Sequence, residues 1–154
     1  GALTIGTLDG ANIEIREAVG ADNFFLFGHT VEEIRTLQRN GHRPSEIYQR
    51  NAVVRRVIDA LRENRFCRQA TGKYNWICDR LLADGEHYFH LADFESYLKA
   101  HDDAASIYSN RPLWTERSIL NTARIGRFSS DRTIAEYACD VWNIRSTGNE
   151  QSTG

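Results

Sequence analysis

Within Gly1 to Gly20 the chain carries a strand signal, a glycine-bracketed turn and a helix signal in immediate succession, and that order limits the folds open to everything after it. Leu3, Thr4 and Ile5 form a β-favouring apolar run. Gly6 to Gly10 encloses Asp9, whose carboxylate is placed to accept from the free N–H groups of a helix's first turn. Ala11, Ile13, Ile15, Ala18 and Val19 supply the apolar helix positions, Glu14 sits near the positive end of the dipole, and Gly20 is the expected αL stop. The continuous apolar run Phe24-Phe25-Leu26-Phe27, closed by Gly28, reads as a parallel strand covered on both faces. Thr30 and Glu33 have capping-box spacing, Val31, Ile34 and Leu37 mark one helical face, and Gly41 is the expected stop. Residues 1–41 are therefore expected to form a β-α-β-α unit of Rossmann type, with too few strands to stand alone comfortably.

A glycine-rich turn between strand and helix can also present backbone N–H groups to a phosphate. Neither GxGxxG nor a GxxxxGKS or GxxxxGKT run is present, so tight reversal of the chain against a sheet is the favoured reading.

From Pro44 the pattern changes to helical periodicity without a second sheet. Pro44 can open a short helix at its first position, running through Ile47 and Tyr48. Val53, Val54, Val57, Ile58 and Leu61 form an amphipathic stripe. After a break at Ala70 to Lys73, Trp76, Ile77, Leu81 and Leu82 are expected on the buried side of a helix ending before Gly85. Tyr88-Phe89-His90-Leu91 reads as a link, Asp93 as the cap of a helix carrying Phe94, Tyr97, Leu98, Ala105 and Tyr108, and Asn110-Arg111-Pro112 as its end. Trp114, Ile119, Leu120 and Ala123 mark a helix running to Gly126. The final one, capped by Ser130 or Asp131, places Ile134, Tyr137, Ala138, Val141 and Trp142 at helical spacing. Residues 42–144 are thus expected to be a helical array, and the polar run at 145–154 a mobile tail.

With 154 residues, 41% of them hydrophobic, the chain can build the core of one domain. A formal net charge of −2 argues against a nucleic-acid binder, and no apolar run is long enough to span a membrane. Cys67, Cys78 and Cys139 are odd in number and form no CxxC pair, which fits free thiols in a reducing compartment, with the cytoplasm as the expected location. No methionine is present, so a processed form or a piece of a longer polypeptide is expected.

Each chemistry-bearing pattern has a plainer structural account. His87 and His90, with Cys78 upstream, have a spacing that can bring metal ligands to one helical face, but no further Cys or His cluster completes the set. His29 and His42 are isolated and fit surface or capping roles. The pairs Glu32-Glu33 and Asp102-Asp103 point apart on a helix and read as solvated faces. Ser129-Ser130-Asp131 lacks a glycine-flanked elbow and a partnered histidine, so it reads as a cap. Trp76, Trp114 and Trp142 sit on apolar stripes and read as core rather than as sugar-stacking rings. No catalytic, cofactor-binding or metal-ligating residue is therefore assigned within the chain.

Four runs carry a resemblance beyond these local signals. They are Leu3-Thr4-Ile5-Gly6-Thr7-Leu8-Asp9-Gly10-Ala11-Asn12-Ile13-Glu14, then Asp22 to Gly28, then Leu91-Ala92-Asp93-Phe94-Glu95-Ser96-Tyr97, and Phe128 to Ala138 ending in Trp142. In this order they resemble the α-glucan phosphorylases, the family of glycogen, starch and maltodextrin phosphorylases. Arg65 to Tyr74 departs most, with Cys67-Arg68-Gln69 where that family usually has a Ser-Pro turn.

The resemblance implies the tail of the Rossmann-like carboxyl-terminal lobe of a two-lobed, GT-B type glycosyltransferase. It implies that the lysine bearing pyridoxal phosphate falls just before the position matching Gly1, and that the basic residues holding substrate phosphate also fall outside the chain. The activity implied for the whole enzyme is attack of inorganic phosphate on terminal α-1,4 glucosyl bonds of a glucan, giving glucose 1-phosphate, with the cofactor's phosphate relaying the proton. These residues would contribute scaffold, inactive alone and without bound cofactor. Their opening strand and helix would stand beside the cofactor pocket and their last helices near the hinge. Asp9, Gly10 and Asn12 are the positions to watch, with Asp9 expected to cap and order the turn after the cofactor-bearing segment. The alternative is a stand-alone, non-catalytic binding or assembly module that packs an exposed sheet edge against another copy.

Overall fold

The computed structural model describes residues 2–144, so Gly1 and the tail expected at 145–154 lie outside the described residues. Strands β1 (Thr4–Gly6) and β2 (Phe24–Leu26) pair in parallel, Thr4 opposite Phe24 and Gly6 opposite Leu26. Parallel pairing requires a crossover, and helix α1 (Ala11–Val19) supplies it. Then come α2 (Val31–Arg39), α3 (Pro44–Arg50), α4 (Ala52–Arg62), α5 (Asn75–Leu82) and α6 (His90–Ser109). The described part closes with α7 (Arg111–Arg124) and α8 (Ser130–Glu136), which runs on into a π-turn at Tyr137–Val141. The result is a small, mostly helical α/β structure, as the periodicities imply.

The core lies among α3, α4, α5 and α6, where Val54, Ile58, Cys78 and Leu91 are buried together, ringed by side chains such as Ile47, Leu81 and Phe94. The α4 stripe is split by this packing: Val54 and Ile58 are core, while Val53 and Val57 stay exposed. Helix α6 lies against both strands, and α7 packs on α1. A buried amide pair ties α7 to the opening unit. Asn121 Nδ2 donates to the Asn23 carbonyl at 3.2 Å, and Asn23 Nδ2 donates to the Val19 carbonyl at 2.9 Å. Phe24 and Phe25 are buried, but Leu26 is 41% exposed, so β2 is covered less fully than its apolar run implies. The described sheet has two strands, so each of them is an edge strand.

The helix termini depart from the sequence expectations in several places. Asp9 does not cap α1; the helix starts from Gly10 without a side-chain cap, and the Asp9 carboxylate instead accepts from Thr7 Oγ1 at 3.0 Å. Gly20 has φ 95° and ψ 145°, a positive-φ glycine conformation other than αL, because the chain turns straight into a 3-10 turn at Ala21–Asn23. Asp93 lies inside α6 rather than at its start. The buried Glu86 holds that start, accepting from the N–H groups of Tyr88 at 2.7 Å and His90 at 3.1 Å. Ser129, not Ser130 or Asp131, caps α8. The Thr30–Glu33 capping box, Pro44 at the start of α3 and the positive φ of Gly41 after α2 match expectation.

The tryptophans do not form core. Trp76 is 69% exposed and Trp142 54%, while Trp114 is half-buried with its ring edge-to-face on Tyr108 at 5.0 Å. Ile134, Tyr137 and Val141 are exposed as well, since the main neighbours of α8 among the described residues are its own flanking turns. Periodicity shows which side chains share a face, but it does not supply the surface that covers them.

Asn51 is the cap with the widest reach: its Oδ1 accepts from the N–H groups of Val53 and Val54, and its Nδ2 donates to Glu95 Oε1 at 2.8 Å. Asn51→Ala is expected to lower stability by about 1 kcal/mol, read as a reduced urea midpoint at unchanged slope.

Candidate functional site

Ligands of parallel α/β sheets gather outside the carboxyl ends of the strands. Here both strands end on one cavity of about 800 Å³, β1 leading into Thr7, Leu8 and Asp9 and β2 into Phe27 and His29. Helix α2 lines it with Val31, Ile34, Arg35 and Gln38, α4 with Val54, Val57 and Ile58, and α6 with Asp93, Phe94 and Tyr97. His87, Tyr88 and Phe89 close it from the link before α6.

A single carboxylate organises the polar part of this wall. Asp93 Oδ1 accepts the backbone N–H of His29 at 2.9 Å and lies 2.5 Å from His29 Nδ1, with the aspartate side chain 13% exposed. The Gly28 N–H donates to Ser96 Oγ at 3.0 Å, and that hydroxyl donates to the Asp93 carbonyl at 2.8 Å. The end of β2 is thereby stitched to the first turns of α6. Only glycine fits at residue 28: φ is +85°, and a Cβ would stand 2.9 Å from Thr7 Cγ2 and 3.0 Å from Asp93 Oδ2. The opening turn closes as tightly, for a Cβ on Gly6 would meet both Asn12 Nδ2 and Phe24 Cζ at 2.9 Å.

The other candidate residues fall as follows. His29, expected to be isolated, is the partner of Asp93. His42 is likewise not a surface side chain: its ring lies 4.9 Å from that of Phe89 and its Nε2 is buried. His90 Nδ1 sits 2.9 Å from Glu86 Oε1, and Cys78 Sγ lies 3.7 Å from the Ile58 carbonyl, so neither converges with His87. Among the described residues no three His, Cys, Asp or Glu side chains group as a metal-ion set. Three groups have shifted proton affinities. The N–H and hydroxyl of Thr30 hold the Glu33 carboxyl below its ordinary range. A hydrogen bond to Asp59 pushes the Tyr48 phenol up, and Asp140 does the same to the Cys139 thiol. None of the three lines the cavity.

Chemically, the cavity offers an apolar body, a carboxylate-held imidazole and a guanidinium, with no serine, cysteine or lysine along its lining. Pyridoxal phosphate needs an amine for its aldehyde. Lys73 and Lys99, the chain's lysines, are both exposed and absent from the lining, so the residues present do not fit that cofactor. Sequence reasoning missed Glu86 and Ser96, whose partners lie close in sequence or across the fold. For Glu86 a signal existed, a glutamate four residues before His90 at a helix start.

A crossover-linked parallel strand pair whose ends open on one cavity, backed by a helical array, is the setting in which the family comparison applies. The chain belongs to the carbohydrate phosphorylase family, whose family model matches residues 1–144. It is 46% identical to the glycogen phosphorylase of Synechocystis sp., over 94% of this chain and 17% of that relative. It is 47% identical to the glycogen phosphorylase of Bacillus subtilis, over 94% of this chain and 18% of the relative, and 40% identical to the muscle form from Bos taurus, over 96% and 17%. The chain thus spans less than a fifth of the length of the curated relatives it matches.

Two outcomes test this geometry. Gly28→Ala is expected to destabilise the chain by more than about 1 kcal/mol, whereas Asp93→Ala should speed amide hydrogen exchange at His29 more than at Ile58. The folded Glu33 carboxyl titrates lower than its ordinary 4.5, so its support of α2 is complete above that value and is lost as pH falls through the lower folded value. The Thr30 amide shift should move across that acid range, and Glu33→Gln should abolish the movement.

Proposed function

We propose that this chain acts as the carboxyl-terminal part of an α-glucan phosphorylase, which uses inorganic phosphate to cleave terminal α-1,4 glucosyl bonds of glycogen or a related glucan and releases glucose 1-phosphate. The observation that carries the proposal is the family match across residues 1–144, joined to 40–47% identity with relatives named glycogen phosphorylase. The parallel strand pair, its crossover helix and the helical array agree with the end of the Rossmann-like lobe of a GT-B type glycosyltransferase. Within this reading residues 1–41 finish that lobe and residues 42–144 are the helices that follow it.

The role of the residues themselves is scaffold. The cofactor's Schiff-base lysine is assigned outside the described residues, and the isolated chain is assigned no turnover. Asp9 orders the opening turn through Thr7 rather than by capping α1. No helix among the described residues is long and apolar enough to cross a membrane. The free thiols of Cys67, Cys78 and Cys139 support a cytoplasmic setting.

The test is a chimera in which this chain replaces the matching segment of the Bacillus subtilis relative. It is expected to release glucose 1-phosphate from glycogen and phosphate, while the isolated chain releases none. A folded chimera without turnover would overturn the proposal. In the same chimera Asp9→Ala should weaken retention of pyridoxal phosphate, read by its absorbance after gel filtration. A discrete, stable oligomer of the isolated chain would instead favour a stand-alone assembly module built on the sheet edge.

A further inference from the structure

We propose that the cavity at the carboxyl ends of β1 and β2 is a binding site for a small molecule made of a flat apolar body and one carboxylate. Its volume of about 800 Å³ falls within the range of roughly 300–1,000 Å³ typical of small-molecule sites. Val57 and Ile58 of α4, with Phe94 and Tyr97 of α6, give it apolar and aromatic walls suited to a ring system. Against these walls α2 sets one cation, Arg35.

The charge inventory selects the ligand's polar group. Of the acids facing the cavity, Asp93 is engaged by His29 and Asp9 by Thr7. Glu86, behind the lining, is engaged by His90. Arg35 takes part in none of the ion pairs among the described residues. A guanidinium's planar fork matches a carboxylate in bidentate fashion. A single guanidinium does not balance a doubly charged phosphate, and Asp9 and Asp93 on the same lining repel it further.

Helix α2 supplies a second, independent reason. It buries none of its residues, and Val31 is 50% exposed although it lines the cavity. The helix is fixed at its ends, by the Thr30–Glu33 box and by the His42 N–H donating to the Leu37 carbonyl at 3.1 Å, and is flanked by the positive-φ glycines 28 and 41. An apolar body bound beneath it covers Val31 and Ile34, which the folded chain leaves half-covered or open.

The experiment titrates the full 154-residue chain, labelled with nitrogen-15, with 4-biphenylcarboxylate and with its uncharged carboxamide. Shift changes are expected in α2, in residues 7–9 and in 54–58, with the carboxylate binding roughly tenfold more tightly than the carboxamide. Arg35→Ala, at an exposed position, should erase that preference while both probes still bind. Val57→Trp should fill the cavity and weaken both; if it fails to fold, the Arg35 comparison decides alone. Equal affinity of the two probes for the unsubstituted chain, a preference that survives Arg35→Ala, shifts confined to α7 and α8, or no shifts at millimolar probe would each overturn the proposal.

Discussion

One carboxylate joins the two halves of this fold. Asp93 holds both the backbone and the ring of His29, a residue 64 positions away, and so fixes where the end of β2 meets α6. The strand pair is too small to define its own surroundings, having three residues per strand. Its orientation against the helical array therefore rests on this contact, on the Gly28–Ser96 hydrogen bond and the close approach at Gly28 beside it, and on the Asn121–Asn23 bridge to α7. The cavity follows as a consequence. With β2 pinned to α6, and α4 and α6 contributing Ile58 and Leu91 to one buried cluster, the space left under α2 has fixed walls on two sides and a loosely seated helix on the third.

Most of the element order was legible in the sequence, for physical reasons that differ by region. The β-α-β-α opening was readable because each signal was local: an apolar run, a turn of glycines, a capping box. The helices after Pro44 were readable because their stripes repeat at helical period. What local pattern could not supply was the choice among neighbouring polar residues at each helix start. Asp93 and Glu86 are both acids near the beginning of α6. The partner that decides their roles is His29 for one and the turn at Tyr88–His90 for the other.

The same limit governed the site. His29 read as an isolated histidine because its carboxylate lies far along the chain, and His42 because its stacking partner Phe89 sits in a left-handed conformation that sequence does not announce. Trp76 and Trp142 read as core because they occupy apolar stripes, yet the surfaces they would need are not among the described residues. The family assignment escaped these limits. The resemblance was carried by ordered runs, and those runs coincide with tightly constrained parts of the fold: the Gly6 and Gly28 close approaches and the Asp93–Ser96 stitch all fall inside them.

The amide bridge between Asn121 and Asn23 spans 98 positions, and it has a temporal meaning. Contacts of such long separation form late, since the loop between them must close before they reward it. The opening unit is made before α7, so the Asn23 carbonyl and the face of α1 beneath α7 stay without these partners until the residues near Asn121 have been made. The opening unit is thus among the last parts to be completed, and until then its strand pair, with Phe24 and Phe25 that the finished fold buries, is a natural client surface for a chaperone.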